Sequence, residues 1–493
     1  MELRSSEQIQ GNILAPFNKP YQQFLFVSFG NNRPGARRWL ATLTGEGRIA
    51  TTRAVADHNA AFKAQKAKDG DPQPRQIWMG IGLTSWGLVT LHPELAADLV
   101  AYEAFWRGPL AAGTDERGNW TASAALVGGE EHSDPRAWVI GGPNQAPIDA
   151  LVTIAADDRG DLRERVDAER KQAEEAGLAV LHVQQRDGGS ALGQRGAVLR
   201  GRHGGTEHFG FKDGISQPSV RGYTSATFRH GRWESERHPG SPIIATGEFV
   251  LGYPGERGSY PGGRRPQPPG WMRDGSFQVF LRLTQDVQGW REQMDRLGSA
   301  LSDDVAAKAI GRRRDGTPLA PGGGGQGRND FDYADDPDGH HTPRFAHIRK
   351  VNPRDDARFD DRTRRVLRRG IPFGPRFDPD REGAGNHDAE RGLLLNAFMA
   401  SIEDQFEFVQ RNWVASPRSA PASAGGEGAE PAADGPDPLI GAGAGPCVLR
   451  RQGEEPVELD LRRFVRTTGA VYAFAPSLAA LRRLAGDGSM REG

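Results

Sequence analysis

The chain has 493 residues, enough for two or three domains, and its 63 Lys+Arg balance 64 Asp+Glu to a net charge of −1, which argues against a generic binder of nucleic acid or acidic membranes. A single cysteine, Cys447, excludes an intrachain disulfide framework and any all-cysteine zinc or iron–sulfur centre. The 65 Gly and 34 Pro, with a mean hydropathy of −0.61, predict an unusual amount of loop.

The chain opens on MELRSSEQIQGNILAPF, which has no basic segment followed by an apolar one and no twin arginine. No apolar run approaches the ~18 residues of a membrane span, so a cytoplasmic location away from membranes is expected. Residues 24–29 (FLFVSF) read as a buried strand and 36–43 as a helix behind Pro34. Residues 77–83 (IWMGIGL) read as a second strand, with Ser85 capping the next helix. Residues 150–155 form a third strand, 161–176 a charged amphipathic helix and 179–183 a fourth strand. Strand–helix–strand given twice predicts a ferredoxin-like α+β unit, an antiparallel sheet with helices on one face.

The second half repeats this less cleanly. Residues 247–251 and 276–283 read as strands, 287–297 as a helix, 392–409 as a helix with an apolar face, 471–475 as a strand and 477–484 as a closing helix. Gly/Pro-rich stretches at 252–275, 311–343 and 416–445 exceed the usual loop length, which makes each a functional surface loop or a partly disordered one. The expected division is 1–210 and 211–493.

The glycine runs 322–325 and 441–445 lack the Lys-Ser/Thr of a phosphate loop. Asp335, Asp336, Asp338, His340 and His341 follow no calcium-loop or zinc spacing and read as a solvated loop. Residues 205–218 (GTEHFGFKDGISQP) place Asp213 between Lys212 and Gly214 near two phenylalanines. This is either an ordinary Asp-Gly turn or a carboxylate held against an apolar pocket for acid–base work. Residues 343–355 (PRFAHIRKVNPRD) set His347 between Ala346 and Ile348, either a packed core histidine or a ligand. Of the 12 histidines, only His182 shares such an apolar setting. Arg368 follows in LRRGIPFG.

Taken together, GFKDG, AHIRKVNPR and RRGIPFG resemble, in order, the G-x-x-D-G, proximal-histidine and distal-arginine motifs of dye-decolorising peroxidases. Residues 9–14 (IQGNIL), 272–277 (MRDGSF), 392–413 (GLLLNAFMASIEDQFEFVQRNW) and 437–441 (DPLIG) are similar to further blocks of that family. The resemblance implies two ferredoxin-like domains with haem b in the C-terminal one. It also implies a peroxidase that reduces hydrogen peroxide and oxidises aromatic donors such as dyes and phenolics, one electron at a time, through an oxyferryl intermediate.

Residue by residue, His347 matches the axial iron ligand and Asp437 the acidic partner of its other nitrogen. Asp213 matches the distal acid–base residue and Arg368 the distal arginine that stabilises charge as the O–O bond breaks. Arg354 matches a residue that pairs with a haem propionate. Ile215, Ser216 and Gln217 match the haem edge, and Leu393, Leu395 and Phe406 the distal packing positions. Leu395 departs from the family's usual Phe. The inserts 311–343 and 416–445 point to the longer bacterial branch. The alternative is a haem-binding protein for storage, transfer or sensing, which needs neither Asp213 nor Arg368. A structural or interaction role rests on the long loops alone.

Overall fold

A computed structural model describes residues 2–490 apart from 70–74, 111–133, 185–188, 200–203, 230–231, 237–239, 257–264, 355–360, 379–388, 419–432, 442–445, 487 and 489. Ten strands of the described residues form one antiparallel sheet. In chain order they are β1 (Tyr21–Ser28), β2 (Ile77–Leu83), β3 (Ala150–Ala156), β4 (Ala179–Val180), β5 (Gln194–Ala197), β6 (Ser276–Gln285), β7 (Leu367–Arg368), β8 (Ile371–Phe373), β9 (Gly392–Met399) and β10 (Val465–Ala475). The spatial order is β7-β9-β6-β10-β2-β3-β1-β4, with β8 also on β9 and β5 also on β1. In the first half β1 therefore lies between β3 and β4, and in the second β6 lies between β9 and β10, the ferredoxin-like order. The two halves join where β10 meets β2, at the pair Phe474 and Leu83.

Local chemistry sets the helices. In α1 (Arg33–Gly45) the Asn32 side chain accepts from Gly35 N at 2.9 Å, and Pro34 occupies the first turn, where a missing N–H costs nothing. In α2 (Arg159–Glu175) Asp158 caps Gly160 N at 2.6 Å. The second half supplies α3 (Val287–Leu301), the short α4 (His347–Val351) and the closing α5 (Leu478–Ala485). Trp39 and Leu40 of α1, Val166 of α2 and Leu481 of α5 share one core with the strands Leu25, Met79, Phe277 and Phe474.

The opposite face of the sheet is buried as well, which the helices-on-one-face expectation did not include. Phe24, Phe26, Phe280, Ile371 and Leu394 pack together there. The outer strands β5 and β8 lie close enough that a Cβ on Gly196 would come within 2.5 Å of Ile371 Cγ2. A strand buried on both faces loses its alternation and reads as a continuous apolar run, which is the burial that FLFVSF shows in β1.

The same effect misleads at 392–409, where the expected helix is incorrect. Gly392–Met399 is strand β9, paired along its length with β6, and helical turns begin only at Ile402–Glu407 and Val409–Val414, as π-helix. A short unbroken apolar run does not distinguish a buried strand from a buried helix. Residues 247–251 are not a strand either: Thr246–Glu248 is a 3₁₀ turn whose Glu248 carbonyl accepts from Ala400 N and Gln405 Nε2. The expected strand at 179–183 divides, since His182–Gln184 leaves the main sheet to pair with Ser190–Leu192. Thr84, not Ser85, caps the helix Ser85–Leu91.

The segment 311–343 is described throughout and is packed, not disordered. Arg312 donates to Gly316 O, Arg328 O and Asn329 Oδ1 at 2.7–2.9 Å, and Asp336, 3 % exposed, accepts from His341 N and Thr342 N. Asp336 is thus a loop organiser, not part of a solvated cluster, and no metal-binding group of acidic, His or Cys side chains occurs among the described residues. Parts of 252–275 and 416–445, including residues 442–445 of the second glycine-rich run, lie outside the described residues. No described helix is long and apolar enough to cross a membrane. The N-terminal arm crosses to the second half, where Ile9, Ile13 and Leu14 are buried against Leu367, Phe398 and Ala475. Each such side chain contributes roughly 1.5–3 kcal/mol by burial.

Candidate active site

A cavity of about 790 Å³ opens on the face of the second half of the sheet, within the range of cofactor pockets. Strand alternation presents Leu281 and Leu283 of β6, Leu393 and Leu395 of β9, and Val465 and Thr467 of β10 to it. Leu281 faces Leu395 and Leu283 faces Leu393 across the strands, so the four form one apolar floor. Phe406 enters from the π-helical turns, and His347, Ile348 and Val351 from α4. Of the residues singled out from the sequence, Asp213, Ile215, Ser216, Gln217, His347, Arg354, Arg368, Leu393, Leu395 and Phe406 all line this cavity.

Asp437 stands behind the wall. Its side chain is fully buried, and its Oδ2 accepts from His347 Nδ1 at 2.7 Å. Its Oδ1 accepts from Leu439 N at 2.8 Å and Ile440 N at 3.1 Å. With Nδ1–H committed to this carboxylate, the imidazole keeps its Nε2 lone pair for a ligand in the cavity. His182, the other histidine with apolar neighbours, is exposed and makes only a long contact with Ser190 Oγ at 3.5 Å. Two-residue alternation in its short hairpin turns it outward.

The Asp213 loop is tied at several points. Asp213 Oδ1 accepts from Gly214 N at 2.6 Å, and Gly214 takes the left-handed φ of 73° that the tight turn demands. Glu207 closes the preceding turn by accepting from Phe209 N, Phe211 N and Gln285 Nε2 at 2.7–2.9 Å. Burial raises the Glu207 pKa and the Asp213 charge adds to it, while these hydrogen bonds act against the rise. Phe209 stacks on Trp290 of α3 at 4.6 Å, which anchors the loop to the core. Asp213 itself is exposed. A Cβ on Gly370 would stand 3.8 Å from Asp213 Oδ2, so the carboxylate lies beside the chain that leaves Arg368.

Arg368 is held by the residues that follow Asp213. Its Nη2 donates to Ser216 O at 2.8 Å, and its backbone N donates to Gln217 Oε1 at 3.2 Å. Next to it, Arg369 donates to Asn12 O and Ile13 O at 2.7 and 2.6 Å and to Arg368 O at 2.9 Å. The IQGNIL block thus reaches the site through Arg369, a residue the sequence reading did not single out. Burial pulls the Arg369 pKa down to about 10.

Arg354 and the folded segment 311–343 complete the rim. Arg354 donates to Asn329 O at 2.8 Å and Phe331 O at 3.1 Å, with its guanidinium 3.9 Å from the Phe331 ring centre. Its φ of 59° is uncommon for a residue other than glycine, and these contacts offset the backbone cost. Asn329 Nδ2 donates to Ile215 O at 3.0 Å, which ties the Asp213 loop to the histidine side. Arg312, also missed from sequence, is 4 % exposed and hydrogen-bonds only to neutral oxygens. Burial lowers its pKa to about 10, and the charges of Arg354 and Arg368 push the same way. The one signal for Arg312 is its place in GRRRDG at the head of a glycine-rich segment.

This donor set fits haem. The floor is apolar, one imidazole nitrogen is free, and the charges of Arg354 and Arg368 bear on the buried Arg312 in a way that carboxylates would relieve. Asn12 Nδ2, Gln285 Oε1 and Asn352 Oδ1 on the cavity wall are buried and have no hydrogen-bond partner among the described residues, as expected where a bound group completes the site.

Comparison with known proteins agrees with this geometry. A family model described as Dyp-type peroxidase, C-terminal, matches residues 265–421. The multifunctional dye peroxidase DyP2 of Amycolatopsis sp. is 30% identical over 97% of this chain and 95% of its own length. Peroxidase 2 of Mycetinis scorodonius is 31% identical over 56% of this chain, and the match spans only 56% of that protein. A dye-decolorizing peroxidase solved in complex with 2,6-dimethoxyphenol superposes with a TM-score of 0.73 at 25% identity, covering 99% of this chain and 100% of that one. The chain has two ferredoxin-like halves and belongs to the dye-decolorising peroxidase family, whose members are haem enzymes.

Proposed function

We propose that this chain is a haem b peroxidase that reduces hydrogen peroxide and oxidises aromatic donors, among them dyes and phenolics, in one-electron steps. The observation that carries the reading is the 2.7 Å bond from His347 Nδ1 to the buried Asp437 carboxylate, in a cavity that Asp213 and Arg368 also line. Haem, when bound, supplies the redox-active iron at which peroxide is reduced. His347 holds the iron through Nε2, and Asp437 fixes the tautomer and raises the basicity of the imidazole. Arg354 and Arg312 would pair with the haem propionates, Ile215, Ser216 and Gln217 would contact the haem, and Leu393, Leu395 and Phe406 would exclude water from the pocket.

Asp213 takes the proton from the near oxygen of peroxide and delivers it to the far oxygen, so that water leaves. The fixed positive charge of Arg368 offsets the negative charge that grows on the separating oxygens. Two aromatic donors each supply one electron, which with two protons balances the conversion of one hydrogen peroxide to two water molecules. Leu395, smaller than the family's usual Phe, leaves more room at this face of the cavity. Holding haem for storage, transfer or sensing calls for neither Asp213 nor Arg368. We also retain 1–210 and 211–493 as the two domains, supported by the way β1 to β5 and β6 to β10 form separate runs of the sheet.

The test is stopped-flow mixing of the haem-loaded protein with peroxide. The Soret band is expected to shift, and both Asp213→Asn and Arg368→Leu to slow that shift. Unaltered rates in both variants would falsify the acid–base assignment. His347→Ala is expected to lose histidine ligation in the visible spectrum.

A further inference from the structure

Lys350 lies three residues beyond His347 on α4 and has no part in the chemistry above. It is 2 % exposed, and its ammonium donates to Ser416 O at 2.8 Å and Arg418 O at 2.9 Å. Both partners are neutral carbonyls, an unfavourable setting for a buried cation unless its charge or its grip has a use. The segment it grips is hydrogen-bonded to the histidine's partner. Val414 O accepts from Asp437 N at 2.9 Å, and Pro417 O accepts from Gly435 N at 2.9 Å. Hydrogen bonds thus close a ring: His347 to Asp437, Asp437 to the 414–418 strap, the strap to Lys350, and Lys350 back along one helical turn to His347.

We propose that Lys350 is a positioning residue for the His347–Asp437 pair, holding the 414–418 strap against α4 and setting a positive charge in the field of the Asp437 carboxylate. That charge limits how far the carboxylate draws the Nδ1 proton from the imidazole. The Asp437 charge in turn acts on Lys350: burial pulls the ammonium's pKa down to about 8, and Asp437 is the first of the charges that oppose this. The ammonium is therefore protonated at neutral pH. The inference rests on the reading of His347 as the iron ligand.

Without the charge, Asp437 draws the proton more strongly, the imidazole becomes more anionic and ferric iron is favoured over ferrous. The experiment is a spectroelectrochemical titration of the haem-loaded protein and of Lys350→Gln and Lys350→Met. Gln keeps a donor for the strap and removes the charge, whereas Met removes both. The ferric-to-ferrous ratio at fixed potential is expected to rise about tenfold in each, a fall of about 59 mV for one electron. If Lys350→Met does not fold, Lys350→Gln decides alone. A Lys350→Gln protein with histidine ligation intact and an unaltered ratio overturns this inference and leaves the His347 reading standing. Histidine ligation retained in His347→Ala overturns both.

Discussion

The two carboxylates of the site have opposite surroundings. Asp437 is fully buried, with both oxygens committed to the His347 imidazole and two backbone N–H groups. Asp213 is exposed to the cavity, and among the described residues its carboxylate accepts only from the next residue's N–H. A carboxylate that holds a proton in one place is best fixed by full satisfaction of its lone pairs. One that must carry a proton between two oxygens needs free lone pairs and room to move. The supports differ in the same sense. The His347–Asp437 pair is braced within 347–441, while the Asp213–Arg368 wall draws on the N-terminal arm, the 205–218 loop and the end of β7.

If that division of labour holds, substitutions on the two sides have different signatures. The largest effect is expected from Asp213→Asn, with the second-order rate constant for peroxide falling by about 10²–10⁴ while haem affinity stays unchanged. Arg368→Leu follows, with a fall of about 10²–10³ in the same constant. Asp437→Asn is expected to act on retention instead, weakening haem binding by about 10–100-fold, measured by transfer to an excess of a competing apoprotein. A large loss of haem from Asp213→Asn would erase the distinction.

A smaller effect is expected at Arg369, which lines the cavity but commits its guanidinium to the backbone carbonyls of Arg368 and the arm. Arg369→Gln loses charge-assisted bonds to the carbonyls of residues 12–14 and is expected to lower unfolding stability by about 2–3 kcal/mol, read from chemical denaturation. Its peroxide rate should fall less than that of Arg368→Leu. The least consequence for turnover is expected at Cys447, which probes how closed the histidine side is. Burial and the Asp437 charge push its thiol up to about 12, against an opposing effect of Lys350. In the folded protein at pH 8 alkylation should be on the order of a thousandfold slower than in the unfolded chain, because only the thiolate reacts. Mass spectrometry of the single cysteine reads this directly, and fast labelling of the native protein would show that side to be open.

Much of this was legible in the letters. Strands with both ends marked by turn residues or caps, such as 77–83, emerge with the expected bounds, and His347, Asp213, Arg354 and Arg368 share one cavity as the motif resemblance implies. Their chemistry is carried by residue type within short windows, and a short window is what a sequence displays. The apolar run at 392–399 was misread because burial on both faces removes the periodicity that separates strand from helix.

Arg312, Arg369 and Lys350 were invisible for a different reason. Each acts through backbone carbonyls far along the chain, at residues 328, 12–14 and 416–418. A carbonyl carries no side-chain signature, so no pattern of letters marks it as a partner. By itself the sequence determined the elements with clear periodicity, the lone-cysteine limit on metal chemistry and the residue types that meet in the cavity. Only the tertiary structure decided which carboxylate is sealed and which is free, and that the glycine-rich 311–343 segment is a folded part of the rim. Burial and hydrogen-bond satisfaction belong to what surrounds a residue in space, and that is fixed when distant segments pack.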